Sequence, residues 1–215
     1  MPDARGHGRS SAPLHGYRYE DHASDVLGLV RGLGLAAPIL LGHSMGGMTA
    51  AVVASQIGDA IGGVILVDPT FLSPERQREV CDSDVAEQHR RLLGIHEDDV
   101  RAEARTRHPH RSSEIVELLT EARLQTRMNA FDVLTPPNPE YRQLVSTIRV
   151  PVLLVIGDVG AVVSLETARE LQRLNPLVRV EQIRDAGHGL PYDQPERLAA
   201  VVRCFLRPPR DGVGS

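Results

Sequence analysis

The sequence predicts an α/β fold, a mostly parallel sheet flanked by helices, with a helical segment inserted between its two halves. Three observations carry this. The β-branched runs Gly63-Val64-Ile65-Leu66-Val67 and Val150-Pro151-Val152-Leu153-Leu154-Val155-Ile156 have the pattern of strands buried on both faces, as parallel strands are. Amphipathic helical segments alternate with such runs in sequence. Residues 72–140 break the alternation with charged, helix-favouring stretches and no strand candidate.

Residues 1–19 are rich in Gly, Arg, Ser, His and Pro and show no periodicity, so they read as loop. From Ala23 to Leu35, Val26, Leu27, Leu29, Val30 and Leu33 fall on one side of a helix, which Gly32 and Gly34 bring to an end. Pro38 opens a short apolar run, Ile39-Leu40-Leu41, that stops at Gly42; the Ala-rich segment from Met45 to Ile57 then suits a helix packed closely on a sheet. Within the insert, helices are expected at Glu75 to Glu79, Val85 to Leu93, Asp98 to Arg105 and Ser113 to Asn129, with an exit at Pro136-Pro137-Asn138-Pro139. After the strand at Val150 to Ile156 come a helix from Leu165 to Leu174, stopped by Asn175-Pro176, and a last strand from Val178 to Ile183. A closing helix spans 195–206, with Pro195 in its first turn; the tail from Pro208 to Ser215 is expected to fray.

Composition excludes several classes. With 24 Lys plus Arg against 28 Asp plus Glu, the chain offers no broad basic field for a phosphate backbone, so nucleic acid is a poor partner. The apolar runs fall far short of the roughly 20 residues that a membrane-spanning helix needs. The amino terminus lacks an apolar segment after its charges, so no secretory signal is read and a cytoplasmic location is expected. Cys81 and Cys204 lack metal-ligand spacing and read as reduced spectators.

Gly42-His43-Ser44-Met45-Gly46 matches the Gly-x-Ser-x-Gly elbow and stands between a predicted strand and a predicted helix, where that motif places a nucleophile. In so tight a turn Gly42 and Gly46 leave room for strand and helix to approach. The Ser44 hydroxyl is then held out at the sheet edge, and the amide of Met45, at the helix start, points where an oxyanion would form. A serine hydroxyl needs a base to take its proton, and His suits that task at neutral pH. Of the 9 histidines only His188, in Ala186-Gly187-His188-Gly189, follows the last predicted strand, in a loop able to reach Ser44. His43 is expected to point away across the elbow in a structural role. His7, His15, His22, His108 and His110 read as solvated surface, with no spacing that favours a metal.

Taken with Asp3-Ala4-Arg5-Gly6-His7-Gly8-Arg9-Ser10 and with Asp193-Gln194-Pro195-Glu196, these motifs resemble the α/β-hydrolase superfamily over the whole chain, closest to its small capped members. The resemblance implies a cofactor-free Ser, acid, His triad in that chain order, turning over a small-molecule substrate. It implies hydrolase core in 1–71 and 141–215, with a specificity-setting cap in 72–140. Esterase, carbon-carbon hydrolase and perhydrolase chemistry all use such a triad, whereas dehalogenases and epoxide hydrolases place Asp where Ser44 stands. In the family the acid usually follows the strand here placed at Val150 to Ile156, often as Gly-x-x-Asp. This sequence has Gly157-Asp158-Val159-Gly160, which makes Asp158 the nearest replacement. Asp68, at the end of the preceding strand, is the alternative that some relatives use.

The superfamily's first strands, which precede its Arg-Gly-x-Gly loop, have no counterpart before Met1. One helix and one strand fit between Gly8 and Ser44, too few elements for His7-Gly8 to be the loop that supplies the family's second oxyanion amide. The expectation is therefore a truncated sequence whose elbow strand, Pro38 to Leu41, lies at an open, aggregation-prone edge. The leading function is a serine hydrolase of small ester-like or related acyl substrates. The alternative is an impaired fragment or binding module of the same fold, lacking that second donor.

Overall fold

The structure is a computed structural model and describes residues 1–207; the tail from Pro208, expected to fray, lies outside the described residues. In chain order the elements are α1 (Tyr19–Gly32), β1 (Ile39–His43), α2 (Met45–Ile57), a 3-10 turn (Gly58–Ala60), β2 (Gly63–Val67), α3 (Pro74–Cys81), α4 (Val85–Leu92), α5 (Glu97–Arg107) and α6 (Ser113–Leu124). They continue with a 3-10 segment (Met128–Leu134), α7 (Tyr141–Thr147), β3 (Val152–Gly157), α8 (Leu165–Leu174), β4 (Val178–Ile183), α9 (Leu190–Asp193) and α10 (Pro195–Leu206). The chain divides into two compact units, Met1–Leu35 with Leu72–Tyr141, and Ala36–Phe71 with Arg142–Ser215.

The second unit is built on the sheet. Its strands run in the order β1-β2-β3-β4 and every pair is parallel. All residues of β2 and β3 are buried, which is why those two strands read as unbroken apolar runs. β1 is an edge strand, and its Ile39 and Leu41 remain exposed. On one face Ile65, Val67, Leu153, Val155, Ile183, Ala186 and Leu190 form a cluster covered by Leu198, Val201, Val202 and Phe205 of α10. Truncating a fully buried member such as Leu153 to Ala would cost about 2–5 kcal/mol. α2 packs on β1 and β2, burying every residue from Gly47 to Ala54; its Ala, Gly and Val side chains are small enough for the helix to lie close to the strands. α8 covers β4 and starts at Ser164, whose Oγ accepts the amide of Thr167 at 3.0 Å.

The first unit joins the amino-terminal segment to the helical block. The Arg127 amide donates to the Gly6 carbonyl at 2.8 Å, Asn129 Nδ2 donates to the Leu14 carbonyl at 3.0 Å, and the Arg18 guanidinium donates to the carbonyls of Thr135 and Pro137. α1 begins four residues before the expected Ala23, because Asp21 reaches back to accept the Arg18 amide at 2.9 Å and Tyr19 is buried. It ends in a left-handed Gly34, φ +61°, with the Leu35 amide returning to the Val30 carbonyl at 3.0 Å, as the glycine spacing predicts. The expected apolar face is only half covered, since Leu29 and Leu33 are exposed among the described residues. His22 corrects a reading of solvated surface: it is 3% exposed, against Tyr17, with no hydrogen-bond partner for Nε2. α3 and α6 start at Ser73 and Ser112, whose hydroxyls accept the amides of Arg76 and Ile115. No helix among the described residues is long and apolar enough to cross a membrane.

Candidate active site

The site is assembled within the sheet-bearing unit, where three strand ends deliver one side chain each. β1 delivers Ser44 through a turn that leaves the strand and enters α2 in a single residue. Ser44 has φ +55° and ψ −119°, a conformation that an L side chain disfavours by about 1–3 kcal/mol and that only a fixed surrounding maintains. That surrounding is dense: the Ser44 amide donates to the Val67 carbonyl at 3.1 Å, and its carbonyl accepts from Gly47, Met48 and Thr70 at 3.0, 3.1 and 3.2 Å. Gly42 is required by close approach, because a Cβ there would stand 2.1 Å from the Gly46 carbonyl oxygen and 2.6 Å from the Gly47 nitrogen. Gly46 does not need its missing side chain, since a Cβ there would meet nothing within 4 Å. The second close glycine is Gly47, where a Cβ would press on Pro69 at 2.9 Å. Met45 is the first residue of α2, so its amide has no acceptor within the helix.

β2 delivers Asp68, which follows Val67 with φ +37° and is fully buried. A buried carboxylate must be satisfied by donors, and this one is. Its Oδ1 accepts the Val163 amide at 2.9 Å, and its Oδ2 accepts the Val162 amide at 2.9 Å and Nδ1 of His188 at 2.7 Å. His188 lies in the loop between β4 and α9, and its Nε2 is 2.9 Å from Ser44 Oγ. A carboxylate accepts, so the neutral imidazole carries its proton on Nδ1 and turns the Nε2 lone pair towards the Ser44 hydroxyl. Ser44, His188 and Asp68 thus form one hydrogen-bonded line.

The pairing corrects the acid placed first by sequence, because Asp158 is not on the imidazole. Asp158 is exposed; its Oδ1 accepts the Ala186 amide at 3.3 Å, while its own amide and that of Val159 donate to the Ala186 carbonyl at 3.0 and 3.1 Å. The physical reason is register. Val67 pairs with Val155, so Asp68 leaves the sheet one step past that pair, whereas Asp158 lies three residues beyond Val155, after the chain has turned to bind the His188 loop. The amides of Val162 and Val163, which hold Asp68, belong to the main chain and carry no side-chain signal in the sequence.

His43 is also more closely involved than expected. Its Nε2 lies 2.7 Å from the His188 carbonyl, its ring is 4.9 Å from the His188 ring at 35°, and Tyr192 meets it edge-on at 6.0 Å. Burial pushes the His43 pKa below 6.5 and the nearby His188 adds to this, while the hydrogen bond to the His188 carbonyl and the Asp68 charge oppose it. No group of three or more metal-ligating side chains exists among the described residues.

Residues 1–195 match the family model described as the alpha/beta hydrolase fold. Among curated relatives, the chain is 29% identical over 210 residues to an N-formylmaleamate deformylase of Pseudomonas putida, covering 96% of this chain and 78% of that protein. It is 28% identical to a 2-(acetamidomethylene)succinate hydrolase of Mesorhizobium japonicum, covering 95% and 76%. Among solved structures, the enol-lactonase from Burkholderia xenovorans superposes with a TM-score of 0.75 at 26% identity, over 95% of this chain and 78% of that one.

Proposed function

The chain belongs to the α/β-hydrolase fold family and is a hydrolase, and from that premise we propose that it cleaves small acyl substrates through a Ser44, His188, Asp68 triad. The observation that carries this is the continuous line of contacts, 2.9 Å from Ser44 Oγ to His188 Nε2 and 2.7 Å from His188 Nδ1 to Asp68 Oδ2. Both are within the reach that proton transfer requires. In the first half-reaction Ser44 Oγ bonds to the substrate carbonyl carbon as its proton passes to His188 Nε2. The carbonyl π pair moves onto oxygen, and the Met45 amide donates to that oxyanion. Collapse expels the leaving group, which takes the proton from His188 and leaves an acyl-Ser44. Water then attacks the acyl carbon, gives its proton to His188, and the same sequence returns acid and free Ser44. Asp68 keeps the Nδ1–H tautomer and offsets the charge of the transient imidazolium.

The relatives' names cover a deformylase, a hydrolase of a succinate derivative and an enol-lactonase, so the substrate class is kept at the acyl level, bonded to oxygen or nitrogen. The test is reaction of the full chain with a fluorophosphonate probe, followed by peptide mass mapping. Stoichiometric modification of Ser44, lost in Ser44→Ala, is the expected result; an unmodified, folded chain would remove the reading.

A further inference from the structure

The loop that carries His188 is fastened to the sheet at two places. On the side of β3, the Ala186 carbonyl accepts the amides of Asp158 and Val159, and Gly157 lets the strand approach it so closely that a Cβ would stand 2.1 Å from the Ala186 oxygen. On the side of β1, the His188 carbonyl lies 2.7 Å from His43 Nε2. A carbonyl only accepts, so His43 donates through Nε2–H. The first fastening holds the base of the loop; the second acts on the main chain of His188 itself. His43 immediately precedes Ser44, so the strand that presents the hydroxyl also presents the group that grips the backbone of its partner.

We propose that His43 is a positioning residue, whose Nε2–H braces the His188 carbonyl and thereby holds the His188 imidazole at hydrogen-bond distance from Ser44. This rests on the reading of Ser44 and His188 as nucleophile and base. The brace is short and partly enclosed: the two rings lie against one another, and Tyr192 closes on the His43 ring from its edge. Burial keeps His43 neutral, which suits its place, since a second cation beside His188 would oppose the imidazolium that the base must become. Other positions along β1 are filled by aliphatic residues or Gly42, so a side chain with a donor at this reach is specific to position 43.

The experiment uses the full chain with His43→Gln, His43→Phe and His43→Asn. A Gln amide reaches the point that Nε2 occupies; Asn is a donor too short to reach it, and Phe fills the space without a donor. The readouts are the rate of Ser44 modification by a fluorophosphonate, and kcat and KM on p-nitrophenyl acetate, with melting curves to confirm folding. His43→Gln should stay within about three-fold of the unsubstituted chain, while the Phe and Asn variants lose about ten-fold or more in both the modification rate and kcat, with KM little changed. If the Phe variant fails to fold, the Gln and Asn pair gives the same contrast. Equal rates for Gln and Asn, or a loss confined to KM, overturn the brace alone. Absence of modification in the unsubstituted chain overturns the underlying reading and the brace with it.

Discussion

His188 and Asp68 meet across 120 residues of chain, with Nδ1 2.7 Å from Oδ2, and the contact spans β3, because Asp68 leaves β2 and His188 follows β4. The carboxylate is fully buried, and its two remaining partners are the main-chain amides of Val162 and Val163. It can therefore orient the imidazole without itself being hydrated or free to rotate.

Removing its charge is expected to be costly for turnover. Asp68→Asn should lower kcat by about 10³–10⁴-fold, because an amide can donate to Nδ1 and favour the wrong tautomer. Asp158→Asn keeps an exposed Oδ1 that can accept the Ala186 amide and loses only the charge, so the drop should stay within about ten-fold. Steady-state rates on a chromogenic short-chain ester decide the matter; the reverse order of sensitivity would return the role of acid to Asp158.

The elbow makes an unequal demand on its two motif glycines. Gly42→Ala sets a methyl group against the Gly46 and Gly47 main chain and should destabilise the chain by more than about 3 kcal/mol, or prevent folding. Gly46→Ala points into open space inside α2 and should be neutral or stabilising by up to about 1 kcal/mol. Urea unfolding of the two variants measures the contrast, and equal losses would contradict the packing described here.

Acid should weaken the fold through His22, which is buried, and His43, which is half-buried. Burial lowers the pKa of His22 and of His43 below the ordinary 6.5. Between that value and the lower folded one, the unfolded chain binds more protons than the folded chain, so stability is complete above pH 6.5 and declines as the pH falls below it. Thermal midpoints should be level from pH 8 to 7 and drop by pH 5, with His22→Met showing a shallower decline (about pH-unit resolution suffices). A midpoint that does not move over this range would refute the assignment.

Local pattern made most of the framework legible. β2, α2, α8, β4 and α10 occupy the stretches that their runs, caps and proline or glycine stops indicate, since each is decided by neighbours within a few residues. The meeting of Ser44 with His188 was legible for a similar reason: a motif between strand and helix, and a lone histidine after the last strand. What linear spacing did not encode was reach across the sheet. Whether Asp68 or Asp158 meets the imidazole depends on register between β2 and β3 and on where the chain turns after each. The grip of His43 on the His188 carbonyl joins residues 145 apart, and the burial of His22 depends on how the first unit folds around it. The start of α1 lies ahead of the apolar periodicity that begins at Ala23, because the Asp21 carboxylate closes the first helical turn.

The bend at Ser44 sets durability against reactivity at a single position. A glycine would occupy φ +55° without penalty and would erase the hydroxyl in the same stroke, so Ser44→Gly chains should melt above Ser44→Ala chains while both are inert. Relaxation of this kind is always one codon change away. A lineage released from selection for its chemistry would thus tend to yield sturdier, silent descendants.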